Sequence, residues 1–99
     1  MIPKKFTLGG TEYRVKIEDS SIDNPVVAQV SYPEALVSIS SRSKGKKCTE
    51  DYMEASFCHE LVHAMLETMG KHTLREDEEL VEGLANQLHQ FMKTAEYNK

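Results

Sequence analysis

The amino-acid sequence predicts an α+β fold, a small antiparallel sheet of N-terminal hairpins followed by two helices, the second rich in Glu. Three observations carry that prediction. Apolar residues alternate with period two through the first forty residues, and from Thr49 the period lengthens to about 3.6. Turn-forming Gly, Pro, Asn and Asp concentrate in the first part, whereas helix-capping patterns appear only in the second. There are no internal repeats and no low-complexity segment, and 99 residues suit a single domain spanning 1–99.

Lys4 to Glu18 reads as a hairpin. Phe6 and Leu8 alternate with polar residues, Gly9-Gly10 supplies the turn, and Tyr13, Val15 and Ile17 alternate on the return. Asp19 to Pro25 is a turn-rich connection. A second strand pair, Val26–Val30 and Leu36–Ser40, is broken near Tyr32-Pro33, because Pro33 has no N–H to give to a ladder. Thr49 is placed to cap the first helix, with Glu50 and Asp51 in its first turn and Gly70 to end it. Apolar residues cover most of that helix's circumference, as expected of a helix in the middle of a domain. Thr73-Leu74-Arg75-Glu76 has the spacing of a capping box and should open the second helix. Leu80, Val81, Leu84, Ala85, Leu88, Phe91 and Met92 form that helix's expected inward stripe.

Charge and composition exclude several function classes. A net charge of −4 argues against general nucleic-acid binding, which needs concentrated Lys and Arg. The one basic run, Arg42 to Lys47, reads first as a solvated loop. The N-terminus lacks the apolar core of a signal peptide, and no stretch approaches the ~18 apolar residues that span a bilayer. Cys48 and Cys58, without a secretion signal, indicate free thiols in a cytoplasmic protein. Cys58 reads as a small buried hydrophobe.

Within the first helix stands His59-Glu60-Leu61-Val62-His63. Helical spacing puts both imidazoles on one face, one turn apart, where they can share Zn²⁺, and it turns Glu60 about 100° from His59. The pentapeptide alone also suits two core histidines held by hydrogen bonds. A hydrolytic zinc site needs a third protein ligand and an open fourth position. Glu78 and Glu79 have the reach, but Glu82 fits best, because Glu82 and Asn86 lie i, i+4 on one helix face. The carboxylate then binds the metal while the amide orients a ligand imidazole. His72, nine residues after His63, ranks second for the third ligand, because a third His after the motif resembles the way SprT-like zincins complete their site.

HELVHAML, with Glu-Gly-Leu-Ala-Asn beginning at Glu82, resembles the gluzincin metallopeptidases. The closest resemblance is to their smallest members, the minigluzincins, and to the ImmA/IrrE-like proteins of bacteria and phages. The likeness covers roughly residues 55 to 92 and is only architectural over the sheet. It implies a minimal zincin-like fold, with His59, His63 and Glu82 as Zn²⁺ ligands, Glu60 as general base and Asn86 as support. It further implies a cytoplasmic endopeptidase acting on a protein or peptide substrate through a zinc-activated water. The candidate donors for the developing oxyanion are His89, His72, Arg75 and Tyr97. A substrate strand is expected along Leu36–Ser40, taken as the sheet edge. Two alternatives use the same fold: a non-catalytic zinc-binding regulatory or phage-associated module, and a SprT-like, DNA-associated peptidase using Arg42–Lys47 and His72. The sequence gives no indication of oligomeric state.

Overall fold

The computed structural model describes residues 1–19 and 27–98. Its first hairpin pairs β1 (Lys5–Leu8) with β2 (Thr11–Glu18) in antiparallel register. Gly9 and Gly10 turn the chain with φ of +53° and +81°, a conformation that a side chain would strain. Phe6 and Tyr13, directly opposed, stack with ring centroids 5.4 Å apart.

β3 (Ala28–Ser31) and β4 (Leu36–Ser40) are antiparallel, joined through the turn that holds Pro33. The sheet order is β1-β2-β4-β3, and β2 pairs with β4 in parallel, Val15 beside Val37 and Ile17 beside Ile39. The all-antiparallel expectation is therefore corrected at this one pairing, within an α+β fold. Apolar alternation reports which face is buried, not strand direction, so the sequence pattern is the same for either orientation. The same topology corrects the expected edge. β4 is interior, with Val37 and Ile39 almost fully buried, and β3 is the edge strand next to the helices. Most of the expected turn at 19–25, and Val26 of the expected strand, lie outside the described residues.

The basic run folds as a miniature hairpin, β5 (Arg42–Ser43) with β6 (Lys46–Lys47), turned at Lys44-Gly45 with positive φ at both. Arg42 Nε sits 2.6 Å from Asp19 Oδ1 at the end of β2.

α1 (Glu50–Thr68) begins as expected, with the Thr49 side chain accepting the Tyr52 N–H. It stops at Gly70, φ +73°. Gly70 N–H bonds Glu67 O and Lys71 N–H bonds Leu66 O, the Schellman pattern that satisfies the last carbonyls. One side of α1 buries Phe57 and Ala64 against Tyr13, Val37 and Ile39 of the sheet. Another buries Cys58, Val62 and Leu66 against Val81 and Ala85. Each fully buried aliphatic side chain contributes about 1.5–3 kcal/mol, so this central helix is fixed on two fronts.

The expected capping box is corrected. Thr73–Glu76 does not start the second long helix: α2 (His72–Arg75) is a single turn, and α3 (Glu78–Thr94) starts only after Asp77. Asp77 is the true cap, its carboxylate accepting the Leu80 N–H at 3.1 Å. Glu76 is drawn to Arg75 instead of reaching back to Thr73, and Arg75 also binds Glu67 and covers the Tyr32 ring at 4.7 Å. α3 packs along α1 through Val81 and Ala85, but Leu84, Phe91 and Met92 of its expected stripe are largely exposed. Among the described residues no helix is long and apolar enough to cross a membrane.

Candidate metal centre

The mid-section of α1 presents His59 and His63 toward the first turns of α3. Their rings lie 5.0 Å apart, centroid to centroid, as i, i+4 spacing demands. Because α3 starts at Asp77, Glu78 falls in its first turn, opposite both imidazoles. Glu78 Oε2 is 3.1 Å from His59 Nε2, and Glu78 Oε1 is 3.0 Å from His63 Nε2. Glu82, one turn later, places Oε2 3.2 Å from the other ring nitrogen of His59, Nδ1. His59 and His63 are mostly buried, while the Glu78 side chain is 66 % exposed, so the cluster opens to solvent on the α3 side.

At this site the side chains that cluster with metal-holding spacing are thus His59, His63 and Glu78. Two imidazole nitrogens and a carboxylate are a donor set suited to zinc. Ligands at tetrahedral angles on bonds of about 2.0–2.2 Å lie roughly 3.3–3.5 Å apart. The observed 3.0–3.1 Å separations are a few tenths of an ångström tighter, as expected where hydrogen bonds hold the same atoms together. The residues present fit a zinc ion.

Glu60 projects from the other side of the His face toward the sheet, with 8 % of its surface exposed. Burial raises its pKa, opposed by the neighbouring charges of His59 and His63. Its carboxylate accepts the backbone N–H of Val30 in edge strand β3. Between that edge and α1 lies a cavity of about 330 Å³, bounded by Val27, Ala28, Tyr52, Ala55, Ser56, His59, Glu60 and Glu82. Glu82 is the α3 carboxylate that lines it, beside His59 and Glu60.

The other sequence candidates separate cleanly. Asn86 is exposed and makes no hydrogen bond to either imidazole among the described residues; His63 Nδ1 is buried with no hydrogen-bond partner. Glu79 faces a different depression, beside Leu80 and Gln87. His72 turns to Glu67, with Nε2 3.5 Å from Oε1, and stays out of the metal-spaced cluster. Arg75 is committed to Glu67 and Glu76, and Tyr97 lies exposed beyond α3. His89 joins another cluster, its Nε2 3.6 Å from both Asp51 and Glu54.

One further hydroxyl stands at the cavity, outside the donors that the sequence suggests. Tyr52 stands two turns before His59 and half exposed on the cavity wall, and the neighbouring Ser56 hydroxyl is spent on the Tyr52 carbonyl at 2.9 Å. Its signal in the sequence was the i, i+7 spacing to His59. No protein-family model, curated protein or solved structure matches the chain.

Proposed function

We propose that this protein is a zinc-dependent endopeptidase that hydrolyses a protein or peptide substrate. One observation carries the reading: two imidazole Nε2 atoms and an α3 carboxylate converge beside a buried Glu60, at a cavity bordered by a sheet edge. His59, His63 and a Glu of α3 would hold the ion, which when bound supplies Lewis acidity toward water and a peptide carbonyl. Glu60 takes a proton from the attacking water and delivers it to the leaving amine, a role matched to a carboxylate whose pKa burial raises. Tyr52 offers a hydroxyl to the oxygen on which charge develops. The substrate lies as an added strand on β3, not on β4.

The reading retains the resemblance to small gluzincins of bacterial or phage type and a cytoplasmic setting. It does not favour a DNA-associated peptidase, since His72 is not at the dyad and Arg42 is engaged by Asp19.

The test combines elemental analysis with cleavage of a broad peptide library. One zinc per chain is expected, with wild type cleaving and Glu60→Gln inert while retaining zinc. Zinc without cleavage by wild type would leave a non-catalytic zinc-binding module. A chain that binds no zinc would overturn both.

A further inference from the structure

We infer that the two α3 carboxylates divide the work at the dyad, Glu78 binding the metal and Glu82 acting as a positioning residue that holds His59. The inference rests on the zinc reading above. It departs from the Glu-Gly-Leu-Ala-Asn match, which puts the ligand at Glu82.

The argument turns on which ring nitrogen each carboxylate meets. A neutral imidazole carries its proton on one nitrogen and a lone pair on the other, and the hydrogen bond made by the first decides which is left for a metal. Glu82 Oε2 lies 3.2 Å from Nδ1 of His59, where it is placed to keep the ring proton on that nitrogen and leave Nε2 as the nitrogen that a metal would take. Glu78 reaches Nε2 of both histidines, one oxygen to each. A metal shared by the two Nε2 atoms would therefore meet Glu78 where its oxygens already face both nitrogens, displacing the hydrogen bond to His59 with no reorientation of either ring. For Glu82 to become the ligand, it must leave Nδ1, and Glu78 must withdraw from both Nε2 positions.

Helix geometry enforces the separation. The two residues are one turn apart, about 6 Å along α3, and the Asp77 cap sets which of them stands level with the dyad. Among the described residues His63 has no equivalent brace, since its Nδ1 is buried with no hydrogen-bond partner there. His59 alone is gripped from behind, so its orientation depends on Glu82 in a way that His63's does not.

The experiment measures zinc affinity by chelator competition and the visible spectrum of Co(II)-loaded protein for wild type, Glu78→Ala, Glu82→Ala and Glu82→Gln. Circular dichroism of each metal-free variant checks folding; both side chains are more than half exposed. Glu82→Ala is expected to bind one metal with affinity lowered about 10–100-fold and Co(II) bands unmoved. Glu82→Gln should recover most of that loss, because its amide oxygen still accepts the Nδ1 proton. Glu78→Ala should exceed that loss and shift the Co(II) bands. The division is overturned if Glu82→Ala and Glu82→Gln both abolish metal binding while Glu78→Ala keeps it. Absence of Zn(II) and Co(II) binding in wild type would overturn the zinc reading itself and this inference with it, an outcome visible before any variant is compared.

Discussion

The seam between α1 and α3 carries two clusters of histidine and carboxylate, alike in composition and opposite in character. One joins His59 and His63 to Glu78 and Glu82; the other joins His89 to Asp51 and Glu54. Each contains a trio with metal-holding spacing, His59, His63 and Glu78 in the first and Asp51, Glu54 and His89 in the second. The difference is a resident cation. Lys93 Nζ lies 3.2 Å from Asp51 and 3.3 Å from Glu54, and the Met1 ammonium also binds Glu54. These charges neutralise the second cluster and hold the Glu54 pKa down to about 2, chiefly through the ammonium's hydrogen bond. No Lys or Arg pairs with Glu78 or Glu82 among the described residues, so the first cluster keeps negative potential for an ion. Similar side-chain types on one interface thus make a structural lock or a candidate binding site, according to whether a protein cation already occupies the centre.

The largest test of that contrast removes the imidazoles. His59→Ala or His63→Ala should reduce zinc binding below detection in elemental analysis, whereas His89→Ala should retain one zinc per chain. Any metal that follows His89 would collapse the distinction. Next, Glu54→Gln should lower stability by about 1–3 kcal/mol at pH 7 in urea unfolding, since the nearly buried carboxylate holds two cations. Because the folded-state pKa of Glu54 is depressed, its contribution is present above about pH 4.5 and fades as pH falls toward about 2. Wild type and variant should therefore converge in stability across that acid window. Divergence there would show that the lock is not electrostatic. A third comparison contrasts the two helix-start signals: Asp77→Ala should cost about 1 kcal/mol, and Thr73→Ala no more than roughly 0.5 kcal/mol. The smallest structural effect belongs to Tyr52→Phe, which should leave zinc content and melting temperature unchanged. Should peptide cleavage be established, the same variant should lower kcat with little change in KM.

What the sequence made legible was local. The change of period at Thr49, the Gly9-Gly10 turn, the Thr49 cap and the one-turn spacing of His59 and His63 all follow from residues close in the chain. Strand order did not, because Val37 and Ile39 alternate identically whether β4 is an edge or a centre strand. The choice between Glu78 and Glu82 was also hidden. They are i, i+4 on one face, and only the start of α3 at Asp77 decides which stands opposite the imidazoles. The capping-box pattern at Thr73 pointed four residues too early, because Arg75 offers Glu76 a stronger partner than a backbone N–H. His89 stood among the candidate oxyanion donors for a similar reason: its partners lie more than thirty positions upstream and meet it only once the two helices run antiparallel.

The bond from the Val30 N–H to Glu60 has a consequence for solubility. β3 is an open sheet edge, and an open edge invites strands from other molecules to pair and grow into aggregates. Glu60 blunts that edge by capping one of its outward amides with a carboxylate that cannot donate to an incoming chain. Glu60→Gln keeps an acceptor there, but Glu60→Ala uncovers the amide, and that variant should precipitate sooner on concentration than any other substitution at the dyad. The residue assigned to proton transfer would then also act as the sheet's gatekeeper.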